Sequence, residues 1–475
     1  MSLLSQHTVD KLDTMTFDGI CVYRYMIDKL VPPDSPTSHI NSASFNSSSI
    51  SMETLPVILP NNDNHLADTI SRGIGQCSIL CVNLNLRRLI NGEMVHTVTD
   101  PYLDTLDISS YGVLEILRND MPYAVPVHTS NITFVENQDI IRTYGMTPPD
   151  LERLAAYISE VFFPTVEEME GKKFPIRQRD FILSDLYYAL SIRNAYICFY
   201  KEILKSISPQ IIIYAHGSSS RICFLYEAAR ELGIPCAEID HGLNAHTLRL
   251  SASTTHADKH LVYSELSKDI SSKLNINNVI AIGKPGAIEA ARLWQSTESK
   301  DILVSVISST EETILDFAIE LSRLLPSGFQ VAYKRHPAEL WDATRAERVK
   351  IEAPSLFVVD PRVNIHDLFS ISHIVIGEES TSLVEALPYQ HIKVLLKKRI
   401  GDTRFLELGE LGFFNSLMAN EEITEIIDAS EAAEEILKYS PSENYRSNGE
   451  IYWKQDAAEN FAKALKDVIR ESASV

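Results

Sequence analysis

Short β-branched or aromatic runs alternate along this chain with segments whose apolar residues recur at helical spacing, and the alternation is clearest from residue 205 onward. Gln210–Gly217 reads as a buried strand, Ser218–Leu232 as a helix closed by Gly233, and Ile234–Asp240 as the next strand. A strand, a helix and a strand in that order imply a parallel sheet. Short strands are expected at His260–Tyr263 and Asn278–Ile282. The pattern restarts near 300, with strands at Ile302–Ile307, Gln330–Tyr333, Leu356–Val359, His373–Ile376 and Lys393–Leu396. Helices are expected at Glu311–Leu325, Ile365–Ser370 and Thr381–Leu387. Upstream, Cys77–Asn83 is a strand candidate, Pro149-Asp150-Leu151 opens a helix, and a long helix covers 180–206. The tail 452–470 is an amphipathic closing helix. Residues 32–54, rich in Pro, Ser and Asn, read as a flexible loop, and residues 1–31, with the apolar stretch Phe17–Tyr25, as partly structured.

The restart divides the chain into an N-terminal α/β unit (1–298), a C-terminal α/β unit (299–450) and a closing helix (451–475). A length of 475 residues fits two cores better than one. Gly73-Ile74-Gly75 stands before its strand rather than after it, so it is given no dinucleotide-binding weight.

Composition narrows the class. Hydrophobic residues make 45% and charged residues 23% of the chain, as in soluble globular proteins. The formal charge of −21 argues against broad binding to nucleic acid or an extended basic face for anionic lipid, while allowing a local basic pocket. The six cysteines, none beyond Cys236, form no CxxC pair, which predicts reduced thiols. Neither a signal-peptide pattern nor an apolar run of about 18 residues is present. A cytoplasmic protein with at most peripheral membrane association is expected.

Candidate chemistry gathers at strand ends, where ligands bind in open α/β sheets. Lys334-Arg335-His336-Pro337 follows one strand, and the proline pins the turn that presents His336. This basic group suits a phosphate, with His336 as donor; a structural turn on a basic edge is the plain alternative. Ser380, Thr381 and Ser382 follow another strand and open a helix, where hydroxyls and backbone N–H groups make an anion site. Simple N-capping is compatible with that role. Glu385, one turn in, is placed to accept both hydroxyls of a ribose, or else is an exposed helix glutamate. Ser309, with Ser308 and Thr310, can reach a phosphate from the other side or merely cap a helix. In the N-terminal half, Asp240-His241-Gly242 ends a strand and His216-Gly217 ends its neighbour. Gly242 permits a tight turn. His241 suits a general base near neutral pH with Asp240 orienting it; the bland reading is a core histidine. Glu238, two residues before Asp240, shares its face and is expected deeper in the sheet. No metal motif stands out, so Lys334, Arg335, His336 and backbone amides are assigned the charge of a leaving phosphate.

Over residues 205–400 the layout resembles a GT-B glycosyltransferase. The Asp240-His241-Gly242 loop, Leu261-Val262-Tyr263-Ser264, Ile282-Gly283-Lys284-Pro285, Lys334-x-His336-Pro337 and the Ser/Thr segment before Glu385-Ala386-Leu387 carry the likeness. It is most similar to bacterial capsule and surface-polysaccharide transferases, the polysialyltransferase-like and CDP-glycerol glycerophosphotransferase-like enzymes. The first 200 residues match no family in this way. The resemblance implies two facing Rossmann-like domains with a C-terminal helix crossing back. It further implies that His336, Ser380 and Thr381 bind the phosphate of a cytidine nucleotide. The base is His241 if the glycerophosphotransferase pattern holds and Asp240 if the acidic sialyltransferase pattern does. The implied activity is inverting, metal-independent glycosyl transfer to a glycan, lipid-linked or protein acceptor. The nucleotide-sugar donor is a substrate, so no cofactor is expected. CMP-activated acidic sugars are favoured, with CDP-polyols and UDP-sugars as alternatives. Two other classes stay open: a sugar-nucleotide epimerase of the UDP-GlcNAc 2-epimerase type, and a catalytically inactive GT-B partner that binds glycan.

Overall fold

The computed structural model describes residues 16–17, 20–21, 65–84, 87–90, 93–117, 132–145, 148–170, 176–215, 220–240, 257–273, 276, 278–285, 301–308, 313–336, 339, 341–378, 381–389, 391–398, 423–440 and 454–472. Near the start, β1 (Thr16–Phe17) and β2 (Ile20–Cys21) pair antiparallel on either side of Asp18-Gly19.

The first large sheet begins with β3 (Ile79–Leu84), which is followed by an antiparallel pair outside the sheet, β4 (Arg87–Ile90) and β5 (Glu93–His96). It continues with β6 (Tyr111–Leu117), β7 (Ile132–Glu136), β8 (Ile211–Ala215), β9 (Cys236–Ile239), β10 (Lys259–Val262) and β11 (Val279–Ala281). Its order is β11-β10-β9-β8-β3-β6-β7, parallel throughout. The second sheet holds β12 (Ile302–Ile307), β13 (Phe329–Lys334), β14 (Phe357–Val359), β15 (Ile374–Gly377), β16 (Lys393–Lys397) and β17 (Ile423–Ile426). Its order is β14-β13-β12-β15-β16-β17, also parallel.

Renumbered from its own first strand, each sheet runs 3-2-1-4-5-6, the first with one further strand at the end. This is the doubly wound nucleotide-binding order. The direction of winding reverses between β3 and β8 in one unit and between β12 and β15 in the other. A ligand crevice is expected outside the carboxyl ends of those strands.

Several elements depart from the sequence pattern. β6 and β7 were not expected, because Gly112 and Glu115 interrupt the apolar run of β6. Gly112 is there for packing: a Cβ would lie 2.4 Å from Cγ2 of Ile74 in the helix Leu66–Ile74. Glu115 is tolerated in the interior because Arg87 reaches it. The helix Ala343–Glu352 was also unexpected; only Val349 among its residues is buried, so it shows no apolar stripe. Asp342 caps it by accepting from the Arg345 N–H. The long helix forms as a single element, Ile176–Ile207.

Three cores follow from two-sided sheets. Ile192, Tyr196, Phe199, Tyr200 and Ile203 of the long helix cover one face of the first sheet. The helices Thr313–Leu324 and Ala429–Leu437 cover one face of the second. The third core runs through both units, from Ile213 and Leu261 to Val375, Val384 and Leu396, and includes Phe461 and Leu465 of the last helix, Ala457–Ser472.

That last helix returns to the N-terminal unit, as the resemblance implied. The Lys454 N–H donates to the Tyr263 carbonyl at 3.0 Å, and the Phe461 ring lies 4.9 Å from that of Tyr102. Gly283, at φ +85°, makes the approach feasible: a Cβ there would sit 2.1 Å from the Lys454 carbonyl oxygen.

Candidate functional site

The pairing register gathers the predicted segments of the C-terminal unit along one edge. Ile307 of β12 pairs with Lys334 of β13 on one side and with Gly377 of β15 on the other. Ser308, Arg335 and Glu378 therefore leave the sheet side by side, flanking the reversal between β12 and β15. The Lys334 side chain is buried, and its ammonium donates to the carbonyls of Asp360 and Pro361, at 3.2 and 3.0 Å. It anchors the segment after β14. The Arg335 guanidinium lies 4.7 Å from the Trp341 ring centroid, and among the described residues its Nε has no hydrogen-bond partner.

His336 is held through its backbone. Its N–H donates to Glu339 Oε2 at 3.2 Å, and its carbonyl accepts from the Glu339 N–H at 3.0 Å. The Ser308 hydroxyl donates to the same Oε2 at 2.9 Å. The Tyr333 hydroxyl lies 3.0 Å from Oε1 and 2.8 Å from Ser308 Oγ. Glu339 was not singled out from sequence. Its signal was its place three residues after His336, the spacing of a reciprocal bracket.

Glu385 lies in the helix Thr381–Ala386 and is buried rather than exposed. Its carboxylate is ion-paired with Lys284, which follows β11 in the other unit. Burial pushes the carboxyl up, but Lys284 and His366 outweigh it and hold it below its ordinary value. Burial likewise keeps His366 low, and its Nδ1 lies 3.1 Å from the Tyr389 hydroxyl. Thr381 begins this helix and Ser382 is half-buried in its first turn. At six residues the helix aligns few peptide dipoles, so dipole help for an anion is smaller than the sequence suggested.

In the N-terminal unit, Tyr214 pairs with Glu238 and Ala215 with Ile239, so β8 and β9 end together. Asp240 is buried at that end. Glu238, slightly deeper as expected, has Oε2 3.5 Å from His260 Nδ1. Tyr102 and Tyr263 line the same edge. The Tyr102 hydroxyl donates to the Gly283 carbonyl at 2.5 Å. Burial raises the Tyr263 phenol well above its ordinary value, and the charges of both Asp240 and Glu385 add to the shift. Tyr263 is thus in electrostatic reach of one carboxylate from each unit, and the carboxyl edges of the two sheets meet there. His216, His241, Gly242, Ser309, Pro337 and Ser380 lie outside the described residues. Among the described residues no group of three or more His, Cys, Asp or Glu side chains could hold a metal ion, and no helix is long and apolar enough to cross a membrane.

The protein is therefore an α/β protein of the GT-B type, with two Rossmann-like units whose carboxyl edges face each other and a C-terminal helix that crosses back. No family model matches the chain, and no curated protein matches it in sequence. Among solved structures it is similar to UDP-GlcNAc 2-epimerase from Neisseria meningitidis bound to UDP-GlcNAc, at 13% identity and a TM-score of 0.49, over 82% of this chain and 99% of that one. Arabidopsis thaliana UGT89C1 complexed with UDP matches at 11% identity and 0.48, over 83% and 99%. The wall teichoic acid polymerase TagF matches at 9% and 0.43, over 86% and 93%.

Proposed function

We propose that this chain is an inverting, metal-independent glycosyltransferase that takes a nucleotide-activated sugar, with a CMP-activated acidic sugar favoured, and builds a surface glycan or glycoconjugate. One observation carries the reading. The basic end of β13 lies beside the winding reversal of a nucleotide-binding sheet, on the edge where Lys284 of the other unit comes over to Glu385. In this reading Arg335, His336 and the hydroxyls of Ser380–Ser382 receive the nucleotide phosphate, and Glu385 meets the ribose.

The acceptor hydroxyl loses its proton to a base in Asp240-His241. The acceptor oxygen bonds to the anomeric carbon from the face opposite the phosphate. The bond from that carbon to the phosphate oxygen breaks, and its electron pair leaves with the nucleotide. Donors at the basic turn stabilise the charge that grows on the leaving group.

Thermal shift of the full chain with CMP, CDP, UDP, ADP and GDP tests the first half of this reading, because a ligand of the native state raises Tm by mass action. A shift with CMP or CDP is expected, and no shift with any of the five overturns the reading. The second half is tested by product analysis. Conversion of a UDP-sugar with no acceptor present moves the assignment to the epimerase class.

A further inference from the structure

We infer that Glu339 is a positioning residue for the anion-binding turn: one carboxylate that locks the end of β12 to the Arg335-His336 turn after β13. The inference rests on the nucleotide-binding reading above. Ser308 belongs to the strand end at the winding reversal, and His336 to the neighbouring strand end; the carboxylate binds both through Oε2, at 2.9 and 3.2 Å. Its other oxygen takes the Tyr333 hydroxyl at 3.0 Å, so neither oxygen is left without a donor. Its own N–H closes the bracket on the His336 carbonyl. Tyr333 stacks on Trp341 at 6.1 Å between centroids, and Trp341 carries the Arg335 guanidinium at 4.7 Å. The same grip thus reaches both residues assigned to the phosphate.

Burying a carboxylate is unfavourable unless its partners are fixed, and an apolar side chain would fill this position at lower cost. The return is preorganisation. A turn already held in shape need not be ordered when an anion arrives, which lowers the entropy cost of binding. Glu339 does not itself meet the phosphate, since its oxygens are taken up by Ser308, Tyr333 and His336.

The test compares wild type, Glu339→Ala, Glu339→Gln and Ile436→Ala by calorimetric titration with CMP, CDP, UDP, ADP and GDP, alongside Tm without ligand. Ile436 is a fully buried core residue of the C-terminal unit in the helix Ala429–Leu437, remote in sequence from the turn. For whichever nucleotide wild type binds, Glu339→Ala should weaken Kd tenfold or more. Glu339→Gln keeps the shape and one acceptor oxygen and should recover part of the affinity. Ile436→Ala should lower Tm while leaving Kd within twofold. A purely structural glutamate predicts the opposite pairing, with Kd following Tm across all three variants. Glu339→Ala binding within twofold of wild type overturns the inference and leaves the nucleotide-binding reading standing. If Glu339→Ala does not fold, Glu339→Gln decides, and wild-type affinity in that variant overturns the inference. Wild type binding none of the five nucleotides overturns both.

Discussion

The two units share one strand order and differ in what they place at its carboxyl edge. In the N-terminal unit one guanidinium beside the first strand is shared by two carboxylates. Arg87 donates to Glu115 at 2.7 Å and makes a two-pronged contact with Asp100 at 2.6 and 3.0 Å, while Asn83 donates to Glu115 and Thr99. Arg87 and Glu115 are 3% and 0% exposed. The extra hairpin β4–β5 brings that arginine in, so the network closes this end of the sheet from within. The corresponding edge of the C-terminal unit carries Arg335 over an aromatic ring, the bracketed His336 turn and a short helix start. A shared topology thus marks two edges where a ligand can bind, and side-chain chemistry makes those edges differ.

Breaking the closed edge should have the largest effect. Arg87→Met leaves the buried Glu115 and the half-buried Asp100 without their cation, at a cost of about 3–5 kcal/mol. Thermal denaturation should show a large fall in Tm, with nucleotide binding retained at low temperature. A variant as stable as wild type would mean that the network does not hold this edge.

Next comes the open edge. His336→Ala should fold normally and lose about 10²-fold in turnover, about 2.7 kcal/mol, since a donor to the leaving phosphate acts most strongly in the transition state. Unchanged turnover with an intact fold removes His336 from the site.

The contact joining the two edges should matter less. Lys284→Met leaves Glu385 buried without its ammonium, at a cost of roughly 1–3 kcal/mol. The sign with pH follows from the lowered Glu385 pKa. A carboxyl depressed in the fold adds stability above its unfolded value, and that stability is lost as pH falls through the folded value. Denaturant titrations should therefore separate wild type from variant most above about pH 5, with the gap narrowing below about pH 4. A gap independent of pH would rule out the ion pair as its source.

The smallest effect is an acid sensitivity that the two units share, since burial also lowers His260 of the N-terminal unit to about 4. Burial lowers His391 in the C-terminal unit to about 4. Between that value and the ordinary 6.5 the unfolded chain takes up a proton that the native state refuses, so stability should rise with pH across this window. His391→Gln should flatten that slope, as measured by urea denaturation at stepped pH; an unaltered slope would assign it to other groups.

Most of the alternating core was legible from sequence because parallel strands covered on both faces appear as continuous apolar runs. Ile302–Ile307 was read with its observed limits, and β13 and β15 to within a residue at either end. β6 was hidden because a glycine required by a neighbouring helix and a glutamate satisfied by a distant arginine look polar in one dimension. At the candidate site the basic turn, the Ser/Thr segment and the Asp240 strand end were visible as residue types following strands. Glu339 was not, and Lys284 stood out only as part of the segment after a strand, since the roles of both depend on partners brought close only by folding.

Local sequence thus determined the strands, their parallel sense and the loops that carry basic and hydroxyl groups, because periodicity and turn chemistry act over a few neighbouring residues. Only the tertiary structure decided that Ile307, Lys334 and Gly377 lie abreast, that Arg87 closes one edge, and that Lys284 meets Glu385 across the units. These arrangements depend on register and on charge pairing between residues far apart in the chain. A buried charge is tolerated only where a partner from elsewhere in the fold meets it.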